Sequence, residues 1–181
     1  MKRLLLVAGI LFISVVSTAC INNLAVQELN TKAKAFIESG DYKSAVERLK
    51  SSIDLEPSAY ESYYNLAVAY TKLNDYTNAF DNYKKSIELK NDFADGYYSL
   101  AICEENLILD LEEGEIALED GVLVPAVAGK KKISDDEKVY ISNLSSDVIF
   151  NYEKYLSLMP DADDKDDVNE RLNELKQKVS Q

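Results

Sequence analysis

The chain has 181 residues, 46% of them hydrophobic, which is enough for one packed core and sets a single domain as the expectation. Its 20 lysines and arginines face 32 aspartates and glutamates, a net charge of -12, so nucleic acid is a poor partner: phosphate binding needs a cationic face. Histidine is absent, which removes the commonest general base, the usual nitrogen ligand of zinc and any Ser-His-Asp arrangement.

At the start of the chain Lys2 and Arg3 precede an apolar run from Leu4 to Val16, then Ser17, Thr18 and Ala19 before Cys20. Charged start, apolar centre and small residues are the layout of an export signal. The segment resembles the signal of bacterial lipoproteins, in which the cysteine is acylated, with palmitate among the acyl chains, and becomes the mature N-terminus. It departs from that pattern at Ser17, where the family more often has leucine. The resemblance implies a signal peptide over 1–19, a lipidated Cys20 with a linker over 20–24, and a protein held on a bacterial envelope membrane, facing the periplasm or the exterior. Ordinary cleavage and an uncleaved anchor stay open, since Leu4 to Ile21 carries no charge and sits at the lower limit for crossing about 30 Å of hydrocarbon. Cutting before Cys20 removes Lys2 and Arg3 and no acid, so the negative charge deepens by two and the folded part is repelled by anionic lipid.

From residue 25 the sequence repeats. A shift of about 34 residues superposes Asp41 and Tyr42 on Asp75 and Tyr76, Ala45 on Ala79, Ser52 on Ser86, Ile53 on Ile87 and Leu55 on Leu89. The central copy reads Tyr63, Leu66, Ala67, Tyr70, Ala79, Tyr83 and Ser86, with Asn91 in the last place. Small residues such as Ala67 and Ala79 let two helices approach closely, while Tyr63, Tyr70 and Tyr83 fill the space around that contact. The first copy has Leu29, Ala33, Phe36, Ala45, Leu49, Ser52 and Pro57, with Lys32 at an apolar place. The third opens as Tyr97, Leu100 and Ala101 and then breaks, Glu104 standing where the aromatic belongs; its second half reappears as Val148, Tyr152 and Pro160. Period and pattern resemble the tetratricopeptide repeat, a helix-turn-helix unit with proline usual at the last place. The resemblance implies an all-α solenoid of about three repeats over 25–107 and 135–181, the third split by an irregular insertion over 108–134 and the stack closed by a C-terminal capping helix.

Within the insertion the helical pattern lapses after Leu107, and Gly114, Gly121, Pro125 and Gly129 punctuate two short apolar groups. Asp120-Gly121 suits a two-residue hairpin turn; a partly ordered loop packed on the stack fits equally well, as does a partner-specific element. Ser134 to Glu137 reads as a capping box opening a helix through Tyr155, with Ile141, Leu144, Val148, Tyr152 and Tyr155 on one face. Val168, Leu172, Leu175 and Val179 then form an apolar stripe on a charged helix, the expected cap.

In tetratricopeptide proteins the first helix of each repeat lines a concave groove. Carried over residue by residue, that places Glu61, Tyr64, Asn65, Val68, Thr71 and Lys72 on the groove from the second copy. The third copy adds Asp95, Tyr98, Ser99, Ile102 and Glu105. An aromatic groove with Asn65 and Ser99 to hydrogen-bond suits an extended or helical peptide, unless the insertion or the cap folds back to fill it. Some such repeats clamp a terminal carboxylate; Asn65 matches the asparagine of that clamp, but Asp95 and Ser99 stand where it has positive charge.

Other features read blandly. The acids Asp161, Asp163, Asp164, Asp166 and Asp167 lack the glycine and terminal glutamate of a calcium loop and suit a helix N-terminus instead. Lys130 to Lys132 is a solvated basic run, with a contact to membrane phosphates or an acidic partner as the alternative, and Cys103 is a small half-buried thiol with no cation nearby to activate it. No constellation asks for a metal or cofactor, and none supports an enzyme. The expectation is a membrane-tethered adaptor or assembly factor. The alternative is a ligand-handling accessory of an envelope transport system, a role some lipoproteins with these repeats resemble, holding a small molecule in a closed apolar space between insertion and stack.

Overall fold

The computed structural model describes residues 23–126 and 132–179. The signal segment with Cys20, Gly129 and the lysines 130 and 131 lie outside them. Seven helices and one hairpin follow in order among the described residues: α1 over 23–38, α2 Tyr42–Leu55, α3 Tyr60–Lys72, α4 Tyr76–Leu89, α5 Ala94–Glu113, β1 Ile116–Glu119, β2 Val122–Pro125, α6 Asp135–Leu158 and α7 Lys165–Val179. Helices α3 and α4, and α5 and α6, pack as consecutive pairs, α1 joins α2 ahead of them through the bond from Asn30 to Ser52, and α7 packs on α6.

The turn inside each of the first two pairs is the same device written twice. Asp41 caps α2 by accepting from the Ser44 N–H, and Asp75 caps α4 by accepting from the Asn78 N–H, each after a residue of positive φ, Gly40 and Asn74. Helix α2 stops at Leu55, two residues before Pro57, and α6 stops at Leu158, two before Pro160, where continuation would lose a hydrogen bond and clash.

Alanines make the close approaches. Ala33, Ala45, Ala67, Ala79 and Ala101 are fully buried, and Tyr70, Tyr83, Leu49, Leu66 and Leu100 fill the space between them in one continuous core. Tyr63, expected among the fillers, is only half-buried. On α6 Leu144, Val148, Tyr152 and Tyr155 are buried and Ile141 half-buried. On α7 Val168, Leu172 and Leu175 are buried while Val179 is exposed.

One boundary differs from the sequence reading. Helix α5 does not lapse at Leu107; it runs to Glu113, because Leu107, Ile108 and Leu111 continue a stripe that buries against the core. The insertion is therefore shorter, and its apolar groups form an antiparallel hairpin, Leu118 opposite Leu123, turning at Asp120 and Gly121, both with positive φ. The hairpin lies against α5 and α6. Its Leu118 N–H donates to Glu137 Oε1 at 3.1 Å, while the other oxygen of Glu137 accepts from the Ser134 N–H at 2.8 Å, so the capping box of α6 also anchors the insertion.

Candidate functional site: the face formed by α3, α5 and α7

The first helices of successive pairs lie side by side, joined by bonds that span 35 residues, and the cap α7 joins the third of them by a bond that spans 66. Asn65 Nδ2 of α3 donates to Asn30 Oδ1 of α1 at 3.1 Å, the Tyr64 hydroxyl of α3 lies 3.1 Å from Ser99 Oγ of α5, and Arg171 of α7 reaches Glu105 of α5 at 2.9 Å.

This arrangement sorts the candidate groove residues. Tyr64 is half-buried, its ring edge-on to Phe93 and Tyr83 at 5.0 and 5.9 Å. Val68, Tyr98, Ser99 and Ile102 are half-buried too. Thr71 is half-buried, with Oγ1 2.9 Å from the Ala67 carbonyl and 3.2 Å from Cys103 Sγ, so its hydroxyl is committed within the stack. Asn65 does not hydrogen-bond outward: it is only 6% exposed, and its amide is used on Asn30. Glu61, Lys72 and Asp95 are exposed beside these residues.

At the third repeat the cap changes the face. Glu105 accepts from the Tyr152 hydroxyl at 2.6 Å as well as from Arg171, and Tyr98 packs its ring 4.9 Å from Tyr155 and 6.0 Å from Tyr152. A cleft of about 380 Å³ remains between α5 and α7, lined by Ile102, Leu109, Leu175, Arg171 and Lys178 among others. The cap thus narrows the face at α5 while α3 stays clear of the hairpin. Arg171 carries this part of the site and is not singled out by the sequence, because its partner Glu105 lies 66 residues off along the chain, whereas Tyr155 reads there only as a member of the apolar face of α6.

Burial, more than charge, sets the protonation of the titratable groups in the stack. It pushes the Cys103 thiol up to about 12 against the opposing bond from Thr71, so the sulfur stays protonated and unreactive. Tyr155 rises to about 12 chiefly because its hydroxyl donates to Asp164. Asp164 is therefore occupied by a tyrosine as well as preceding α7, whose first turn carries Asp166 and Asp167. Glu104, at 2% exposure, is pushed by burial from 4.5 to about 8; Asn151 Nδ2, donating at 2.8 Å, and Lys84 oppose the rise, and Asp147 adds to it. No helix among the described residues is long and apolar enough to cross a membrane.

Comparison with known proteins agrees with this architecture. The family profile described as TPR repeat matches residues 33–74, and that described as Tetratricopeptide repeat matches residues 60–93. No curated protein sequence matches the chain. Among solved structures, the first tetratricopeptide domain of Spaghetti (RPAP3), bound to the HSP90 peptide SRMEEVD, is similar at a TM-score of 0.61 and 14% identity, covering 87% of this chain and 95% of that one. The TPR2B domain of yeast Sti1 in complex with a pHsp70 peptide aligns at 0.60 and 13% identity, covering 86% and 98%. The Yersinia enterocolitica type III secretion translocator chaperone SycD aligns at 0.61 and 11% identity, covering 86% of each chain. The fold is that of consecutive tetratricopeptide helix pairs.

Proposed function

We propose that the chain is a non-catalytic adaptor that takes an extended or helical segment of a partner protein along the inner face of α3 and α5, tethered to a bacterial envelope membrane by lipid on Cys20. The observation that carries this reading is the row of half-exposed apolar and aromatic side chains Tyr64, Val68, Tyr98 and Ile102, with exposed Glu61, Lys72 and Asp95 beside them. Similar folds are described in complex with peptides, which supports a peptide segment as the partner. Asp95, an acid, and Ser99, a neutral residue hydrogen-bonded to Tyr64, disfavour a terminal carboxylate and favour a segment that offers apolar anchors and a basic group.

The test is crosslinking in the native envelope followed by capture with the natural chain, with Val68→Glu and with Asp95→Arg, both of which alter the face without removing a core aromatic. Loss of the same crosslinked partner in both variants is the expected result; unchanged capture by both places the contact elsewhere. Lipidation is read separately. Cys20→Ser should abolish labelling by a fatty-acid analogue and release the chain from membranes, and retained labelling overturns the anchor while leaving the adaptor reading intact.

A further inference from the structure

The repeat period places Phe36, Tyr70 and Glu104 at equivalent positions of the three pairs. In the second pair Tyr70 is a buried core filler. In the third pair the carboxyl of Glu104 takes that place, a much smaller group, and a cleft of about 400 Å³ opens beside it between α4, α5 and α6. Ile87, Tyr97, Leu100 and Phe150 supply apolar wall, and Phe150 is 61% exposed at α6. Glu104 and Asn151 both line the cleft and are both buried. One carboxyl oxygen accepts from Asn151 Nδ2 at 2.8 Å, and Lys84, which lines the same cleft, favours the ionised carboxyl through its charge, without an ion pair between the two among the described residues. A buried acid facing an apolar cleft is costly without a complementary donor, and the complement is a cationic head on an apolar stem.

We infer that this cleft is a receptor for an aliphatic ammonium group of the lysine type, the alkyl stem lying on Phe150 and Leu100 and the ammonium donating to Glu104. The site lies on the side of α5 that faces α4 and α6, and is distinct from the row of Tyr64 and Tyr98. The charged and titratable groups facing Glu104 are Lys84 and Glu88 from α4, Tyr97 and Cys103 from α5, and Tyr140 and Asp147 from α6. Two of the rim groups, Glu88 and Asp147, are acidic against the one lysine, which favours an incoming cation.

The probe is n-hexylamine, an ammonium at neutral pH, with n-hexanol as the uncharged control of equal length, titrated calorimetrically into the natural chain. A charge-assisted bond in a desolvated cleft predicts about tenfold or greater preference for the amine. At about pH 7 the carboxyl is mostly protonated in the free protein, so binding releases a proton and the measured heat changes with the ionisation enthalpy of the buffer; above about pH 9 that dependence fades. Glu104→Gln abolishes the preference and the proton release, and Glu104→Tyr, which restores the aromatic of the second pair, abolishes binding of both probes; circular dichroism reports that each variant folds. Equal binding of hexanol and hexylamine, a preference that survives in Glu104→Gln, binding by folded Glu104→Tyr, or no binding of either probe overturns the assignment.

Discussion

Two joints of the stack occupy equivalent positions and are sealed in opposite ways. Between the first and second pairs, Asn30 Nδ2 lies 2.9 Å from Ser52 Oγ and 2.8 Å from Ser62 Oγ, those two hydroxyls lie 2.9 Å apart, and Asn65 donates to Asn30. One repeat later the corresponding residues are Tyr64, Ser86, Gly96 and Ser99, and the joint is aromatic. Tyr64 packs on Phe93 and Tyr83, Phe93 standing where the first joint has Ala59, and Ser86 Oγ is buried with no hydrogen-bond partner. Gly96 is required there, because a Cβ would lie 2.8 Å from Phe93 Cδ1. The same backbone approach therefore tolerates either chemistry, but only as a whole set. A directional network strands several groups when one is removed, whereas an aromatic joint depends on volume and shape.

The largest effect sharpens the comparison by adding a contact within the third pair, where the buried group is ionisable. Glu104 has a folded value near 8 against 4.5 when unfolded, so the folded chain binds the extra proton between those values. Stability is therefore greatest in acid with respect to this group and falls by up to about 1.4 kcal/mol per pH unit as pH rises from about 4.5 to 8. Urea midpoints across that window should show the slope and Glu104→Gln should flatten it. Asn30→Ala should lower the whole curve without changing its slope, since its network is neutral.

The size of that lowering is the next prediction. Asn30→Ala leaves Ser62 and Asn65 short of a buried partner and should cost about 3 kcal/mol; with Asn65→Ala added, the combined loss should be well short of the sum of the single losses. Full additivity in a denaturant double-mutant cycle would break the view of this joint as one network. At the aromatic joint Gly96→Ser writes in the residue of the polar joint and should cost about 2 kcal/mol through the clash with Phe93; combined with Phe93→Ala, the total loss in thermal unfolding should be smaller than the sum of the two single losses, because the clash is gone. The serines give a smaller and opposite pair. Ser52→Ala should cost about 1 kcal/mol, whereas Ser86→Ala removes a hydroxyl that bonds to nothing and should be neutral or slightly stabilising. Least of all, Tyr64→Phe forfeits only the bond to Ser99, about 0.5 to 1 kcal/mol, and should leave near-ultraviolet dichroism of the joint largely intact.

Much of the fold was legible because it is written in short offsets. Ala67 beside Tyr70, Ser134 ahead of Glu137 and the stripe of Val168, Leu172 and Leu175 each act within a turn or two of helix, where spacing alone fixes which residues meet. The candidate face was legible only in part. Tyr64, Val68, Tyr98 and Ile102 follow from the resemblance to the repeat family, with periodicity setting Tyr64 and Val68, and Tyr98 and Ile102, on shared helix faces, but the withdrawal of Asn65 into the Asn30 cluster depends on a residue 35 positions away, and the engagement of Glu105 by Arg171 on one 66 away.

The sequence by itself determined that helices pair at a fixed period around alanine contacts and that a capped helix follows an interruption, because those features rest on local propensity and repeated spacing. Tertiary structure decided what equivalent positions do: Asn30 knits a polar joint where Tyr64 builds an aromatic one, and Tyr70 fills the core where Glu104 lies buried beside an open cleft. The physical reason is that burial and partner distance are properties of packed neighbours, and a side chain's cost or use changes with them even when its place in the repeat does not.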